Sequence, residues 1–148
     1  ARDLFARYGK TVAEEGIHKA YDMFEGITAY VQRIMHDVFT ETATGGTADV
    51  DLVDNMIDRF IEESSRRIRE QLSVITEQQK ELLYAIHSEG IAKGLTASAF
   101  VKRHRLKSAS SVQSATKQLL EMDLITKEGN EYTLSDPLLK LWLTREIQ

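Results

Sequence analysis

Between Thr76 and Leu143 the hydrophobic period changes from helical to alternating and back again. Three segments with apolar residues at helical spacing come first. Leu82, Leu83, Ala85 and Ile86 mark one, Ala99, Phe100 and Val101 the next, and Val112, Ala115, Leu119 and Met122 the third. Then Leu124–Lys127 and Tyr132–Leu134 flank Glu128-Gly129-Asn130-Glu131, a period of two around a turn signal. Asp136-Pro137 reopens a helix, with Asp as the N-cap and Pro at the first position, and Leu138, Leu139, Leu141, Trp142 and Leu143 make it strongly apolar. Thr76 and Ser108 or Ser110 are suitable caps for the first and third helices, Thr96 or Ser98 starts the second, and Gly90 ends the first.

Helix, helix, helix, hairpin is the order of a winged helix-turn-helix. The spacing therefore predicts a winged-helix domain over 76–148, with a small β-hairpin as its wing. The 148 residues contain one Pro and 8 Gly, too few turn formers for an all-β fold.

The first half reads as helices. Leu4, Phe5 and Tyr8 form a short amphipathic pattern ending near Gly9. A second helix is predicted after Thr11, its N-cap with Glu14 three residues later, with Ile17, Ala20, Tyr21 and Phe24 as its apolar face. A third starts near Thr28, and its wide stripe of Tyr30, Val31, Ile34, Met35, Val38 and Phe39 places it at the centre of a small core. Thr40–Asp49, with Gly45-Gly46, reads as a mobile polar loop. One long helix is predicted over 49–75, capped by Asp49 or Asp51, and it would connect a helical bundle over 1–48 to the second module. The predicted fold class is mainly α.

Charge is unevenly spread. Residues 1–75 carry a net −5 and residues 76–148 a net +1, summing to −4. No acid occurs from Gly90 to Leu120, where Lys93, Lys102, Arg103, Arg105, Lys107 and Lys117 give +6. In a winged helix the third helix enters the major groove by its N-terminal residues. Here it would present Ser110, Ser111, Gln113, Ser114 and Lys117, short hydroxyls and an amide able to meet phosphates or base edges. Lys102, Arg103, Arg105 and Lys107 would lie near phosphates. In the wing only Lys127 is basic, and Glu128 and Glu131 flank its tip, which argues against strong contact there. A solvated positive face, or a protein-docking surface, is the competing reading.

Other chemistries find no support. No GxxxxGK[ST] or GxGxxG occurs, so no NTP-hydrolysing core lies in this sequence. Cys is absent, which removes disulfides and thiolate sites and fits a reducing, cytoplasmic compartment. His18, His36, His87 and His104 share no ligand spacing, so no metal site is predicted. The clustered serines lack a base at motif spacing. No apolar run approaches a membrane span.

Five stretches resemble a known family. Phe5–Lys10 and Ala20–Gln32 look like the helical lid that follows the nucleotide-binding core in prokaryotic AAA+-type ATPases related to the archaeal ATPase family and to STAND signalling ATPases. Thr76-Glu77-Gln78-Gln79, Ser108-Ala109-Ser110-Ser111-Val112 and Tyr132 to Leu143 resemble the winged helix that ends those proteins. The resemblance covers nearly the whole chain. It implies a C-terminal fragment whose missing N-terminal core holds the phosphate loop, ATP and magnesium, while this chain is non-catalytic and carries no cofactor. Start at Ala1 rather than Met agrees with a cut inside a longer protein, or with a cloning scar. Gly26-Ile27-Thr28 stands where such lids have a Gly-x-Pro-like turn near the nucleotide, with Thr28 in place of Pro, and Arg33 is the nearest candidate lid arginine. The fragment would couple the nucleotide state of the core to DNA or a protein partner. The alternative is a free-standing winged-helix transcription regulator that self-associates as a dimer along Met56, Phe60, Leu72 and Ile75.

Overall fold

Helix starts follow the side chains that can reach an orphan backbone N–H. Asp49 Oδ1 accepts from the Leu52 amide at 2.9 Å and opens a helix. Thr76 with Gln79, and Ser108 with Ser111, form reciprocal capping boxes. Asp136 Oδ1 accepts from the Leu138 amide at 2.9 Å, and Pro137 is the first helical residue. The structure is a computed structural model describing residues 1–147. It is mainly helical with a small β-hairpin and divides into two units, at Ser64/Ser65.

The first unit runs α1 (Arg2–Arg7), β1 (Thr11–Val12), α2 (Glu14–Met23), α3 (Thr28–Glu41), β2 (Thr47–Ala48) and α4 (Val50–Glu63). Helices α2, α3 and α4 pack around Phe24, Ile34, Val38, Val53, Ile57 and Ile61, each at most 1% exposed. The rings of Phe24, Tyr30 and Phe60 meet with centroids 5.4–5.8 Å apart. Gly16 lets α2 approach α4, since a Cβ there would lie 2.7 Å from Val53 Cγ2.

The second unit runs α5 (Ser65–Ser73), α6 (Glu77–Glu89), α7 (Ser98–Arg103), α8 (Ala109–Glu121), β3 (Ile125–Glu128), β4 (Glu131–Leu134) and α9 (Pro137–Ile147). Its core holds Leu82, Leu83, Ile86, Leu119, Ile125, Leu138 and Leu139. Strand β3 pairs antiparallel with β4 in the register Ile125↔Leu134 to Glu128↔Glu131. Gly129 takes φ +62° while Asn130 stays negative, the pattern of a type II′ turn.

Several expectations are corrected. Thr11 does not cap α2. It lies in β1, which pairs parallel with β2, and α2 starts at Glu14 behind Ala13 with no side-chain cap. The loop predicted over 40–49 is accordingly tied down: α3 extends to Glu41, and Ala48 is fully buried. Tyr8 and Tyr21 are more than half exposed rather than core.

The single helix expected over 49–75 is two helices. Ser64 turns its hydroxyl onto the Phe60 carbonyl at 2.8 Å, a back-bond that competes with the helical ladder. Helix α4 thus belongs to the first core and α5 to the second unit. Met56, Phe60, Leu72 and Ile75, expected at a dimer seam, are each 5–7% exposed in the single chain. Met122 is a partly exposed C-cap rather than core. Residues 91–94 are more than a connection, because Ala92 exchanges two backbone hydrogen bonds with Tyr132 (2.9 and 2.8 Å), a single antiparallel bridge beside β4.

Candidate nucleic-acid interface

Helix α7, the turn after it and α8 carry nine of the ten predicted contact residues. Phe100 anchors α7 in the core, and Val112, Ala115 and Leu119 anchor α8. Their outer faces are fixed by that burial. Arg105 takes φ +54° in the turn, which reverses the chain between the helices. Lys102, Arg103, Arg105 and Lys107 are exposed there.

On α8, Ser110, Gln113, Ser114 and Lys117 are exposed. Ser111 is not free to read a ligand. Its hydroxyl donates to the Ser108 carbonyl at 2.9 Å and accepts from the Ser108 amide at 3.1 Å. Ser110 Oγ lies 3.2 Å from Ser108 Oγ.

The cations divide into held and free. Arg103 Nη1 donates to Glu89 Oε1 at 2.6 Å, and His104 Nε2 lies 2.7 Å from the same oxygen. These two bonds, His104 first, hold the Glu89 carboxyl below its ordinary value of 4.5. Lys93 pairs with Glu131 at 3.3 Å. Among the described residues, Lys102, Arg105, Lys107 and Lys117 have no carboxylate partner. Glu89 was not anticipated as a counter-charge, because it stands one residue before the acid-free stretch and meets Arg103 only through the fold.

The wing brings Lys127 opposite α8. A cleft of about 430 Å³ lies between them, lined by Gln113, Thr116, Lys117 and Leu120 from α8 and by Lys127, Gly129, Asn130 and Tyr132 from the wing. A second cleft, about 640 Å³, is lined by Glu81, Tyr84, His87, His104 and Thr144 among others. Burial, and then the Lys140 charge, lowers the His87 pKa below 6.5. Thr144 Oγ1 lies 2.9 Å from the Lys140 carbonyl and 3.2 Å from His87 Nε2.

The lid-turn residues lie in the first unit. Gly26 takes φ +70°, a backbone conformation that favours glycine, and a Cβ there would meet only the far end of the exposed Tyr21 ring, at 2.8 Å. Thr28 is exposed at the start of α3. Arg33 is engaged with two carboxylates, Asp37 at 3.1 Å and Glu63 at 3.0 Å, and lies over the Phe60 ring. Among the described residues no cluster of three His, Cys, Asp or Glu side chains is placed to hold a metal, and no helix is long and apolar enough to cross a membrane.

No curated protein matches the sequence. A solved structure, the Walker-type ATPase of Pyrococcus abyssi, is similar over 95% of this chain with a TM-score of 0.69 and 16% identity. At that identity the likeness is one of fold. The chain spans 38% of that ATPase chain. A family model described as "Probable winged helix domain" matches residues 67–145, which takes in most of α5 and all of α6–α8, the hairpin and most of α9. The chain therefore belongs to this winged-helix family.

Proposed function

We propose that this chain is the non-catalytic lid and winged-helix part of an AAA+-type ATPase of the kind related to archaeal and STAND ATPases. In this reading it couples the nucleotide state of the ATPase core to binding of duplex DNA, or of a protein partner, by the winged helix. The fold likeness to 38% of a Walker-type ATPase supports the first half. ATP and magnesium would belong to the core. The first unit would act as the lid, whose contacts differ between nucleotide states, and only that differential affinity can move it.

One observation carries the DNA arm. Lys102, Arg105, Lys107 and Lys117 stand without carboxylates on an element whose leading helix exposes Ser110, Gln113 and Ser114. Free cations lose only counterions and water on meeting phosphate, whereas a paired cation must first give up its partner.

Titration of labelled duplex DNA at about 50 and 200 mM salt tests it. Four phosphate contacts give a slope near −0.9 per contact, hence a loss on the order of 10²-fold between those salts. Replacing the four cations by Ala should abolish binding. No binding at the lower salt overturns the DNA arm. The coupling is tested on the longer protein: equal DNA affinity with ADP and with a non-hydrolysable ATP analogue would sink it.

A further inference from the structure

Strand alternation carries two side chains of the wing past the end of the core. Ile125 and Leu134 pair across the hairpin and are buried. Two residues outward, Lys127 and Tyr132 pair on that same face. Tyr132 is only partly buried and Lys127 is exposed. The face therefore overhangs a cleft of about 430 Å³ instead of core.

The cleft has a defined chemistry. Its apolar side is Leu95, Leu120 and Tyr132, of which Leu95 is 4% exposed. Lys117 on α8 and Lys127 on β3 border it, and no Asp or Glu is among its lining residues. Lys127 Nζ lies 5.6 Å over the Tyr132 ring, and Lys117 has no carboxylate partner among the described residues.

We propose that this cleft binds an acidic peptide segment. One apolar side chain of the peptide rests on Leu95, Leu120 and Tyr132, and carboxylates on either side of it meet Lys117 and Lys127. Charge complementarity selects an anion, and the apolar side selects one that also carries hydrocarbon. A duplex backbone offers phosphate but nothing for Leu120 and Tyr132, and exposed Glu128 at the wing tip would face those phosphates. The volume falls within the range of small binding pockets, enough for one large side chain with its flanking backbone. Duplex binding as proposed above uses Lys102, Arg105 and Lys107 together with Lys117, so the two readings share Lys117 and are told apart by Leu95, Leu120, Tyr132 and Lys127.

The test is selection of displayed random dodecapeptides on the 148-residue chain, followed by fluorescence anisotropy with the leading synthetic peptide. Recovered peptides should carry Asp or Glu around one Leu, Ile, Met, Phe or Trp. Lys117→Glu/Lys127→Glu should weaken the leading peptide by at least about tenfold, and Leu120→Asp should do the same. Lys102→Ala/Arg105→Ala/Lys107→Ala should leave it unchanged while weakening labelled duplex DNA. No enrichment, enrichment without acidic residues, or affinity indifferent to the charge reversal each overturns the proposal. So does an equal loss of peptide and duplex affinity in Leu120→Asp, since the cleft would then be part of the duplex site.

Discussion

Glu89 holds Arg103 by one carboxylate oxygen: Oε1 accepts from guanidinium Nη1 at 2.6 Å, joining the end of α6 to the end of α7. The arginine is thereby drawn off the otherwise acid-free surface. Glu89→Gln removes the charge and keeps the shape. Duplex affinity should rise by about three- to tenfold, and the salt slope should steepen by about 0.9, one more phosphate contact. Weaker binding in this variant would mean that the pair serves to position α7.

Two groups set the acid limb of stability. Burial and Lys140 make the folded protein a poorer proton acceptor at His87 than the unfolded chain. That contribution is full above about pH 6.5 and is lost as pH falls through the lowered folded value. Glu89, held low by His104 and Arg103, contributes fully above about pH 4.5 and is lost below it. Thermal melts across pH should show His87→Gln flattening the first decline. The Tm gap between the wild type and Glu89→Gln should close below pH 4.5. A wild-type Tm constant from pH 7 to 5 contradicts the first assignment.

Gly16 sits inside a helix, where Ala would ordinarily add about 0.5–1 kcal/mol. Here the added Cβ lies 2.7 Å from fully buried Val53. Gly16→Ala should instead cost about 1–3 kcal/mol in urea unfolding. Gly16→Ala/Val53→Ala should cost less than the two single changes added together, and strict additivity would show that the two helices do not meet there.

The buried indole Nε1–H of Trp142 donates to Ser65 Oγ at 2.7 Å, across 77 residues of sequence. Ser65→Ala strands that donor and should cost about 1–3 kcal/mol. Ser65→Thr keeps an acceptor and should recover part of the loss. Equal stability of the wild type and Ser65→Ala would show that the indole has another partner.

The second unit was largely legible because each of its boundaries is written in side chains. Thr76, Gly90, Ser108, Gly129-Asn130 and Asp136-Pro137 act within four residues of themselves, so local chemistry sufficed. The first unit was less so. Thr11 looks like a cap locally, but its backbone pairs with Thr47, 36 positions away. Ser64 is one polar residue in an otherwise continuous amphipathic pattern, and its back-bond leaves no mark on the hydrophobic period.

At the candidate interface the sequence supplied the cations but not their state. Which are held and which are free depends on Glu89 and Glu131, brought close by packing. Likewise, Ser111 looks like an exposed hydroxyl until the capping box engages it. The cleft beside the wing was not anticipated, because its walls come from α8, residues 94–96 and the hairpin, and only the register places Lys127 with Tyr132.

The ladder between β1 and β2 is only two residues long on each side, yet it closes a loop containing two whole helices. Its closure entropy is set by that span, while its direct return is a few amide bonds such as Thr11 to the Gly46 carbonyl and Ala13 to the Ala48 carbonyl. The expected outcome is a latch that opens ahead of the helices. Hydrogen exchange at the Thr11 and Ala13 amides would report that local opening, well below the free energy of global unfolding.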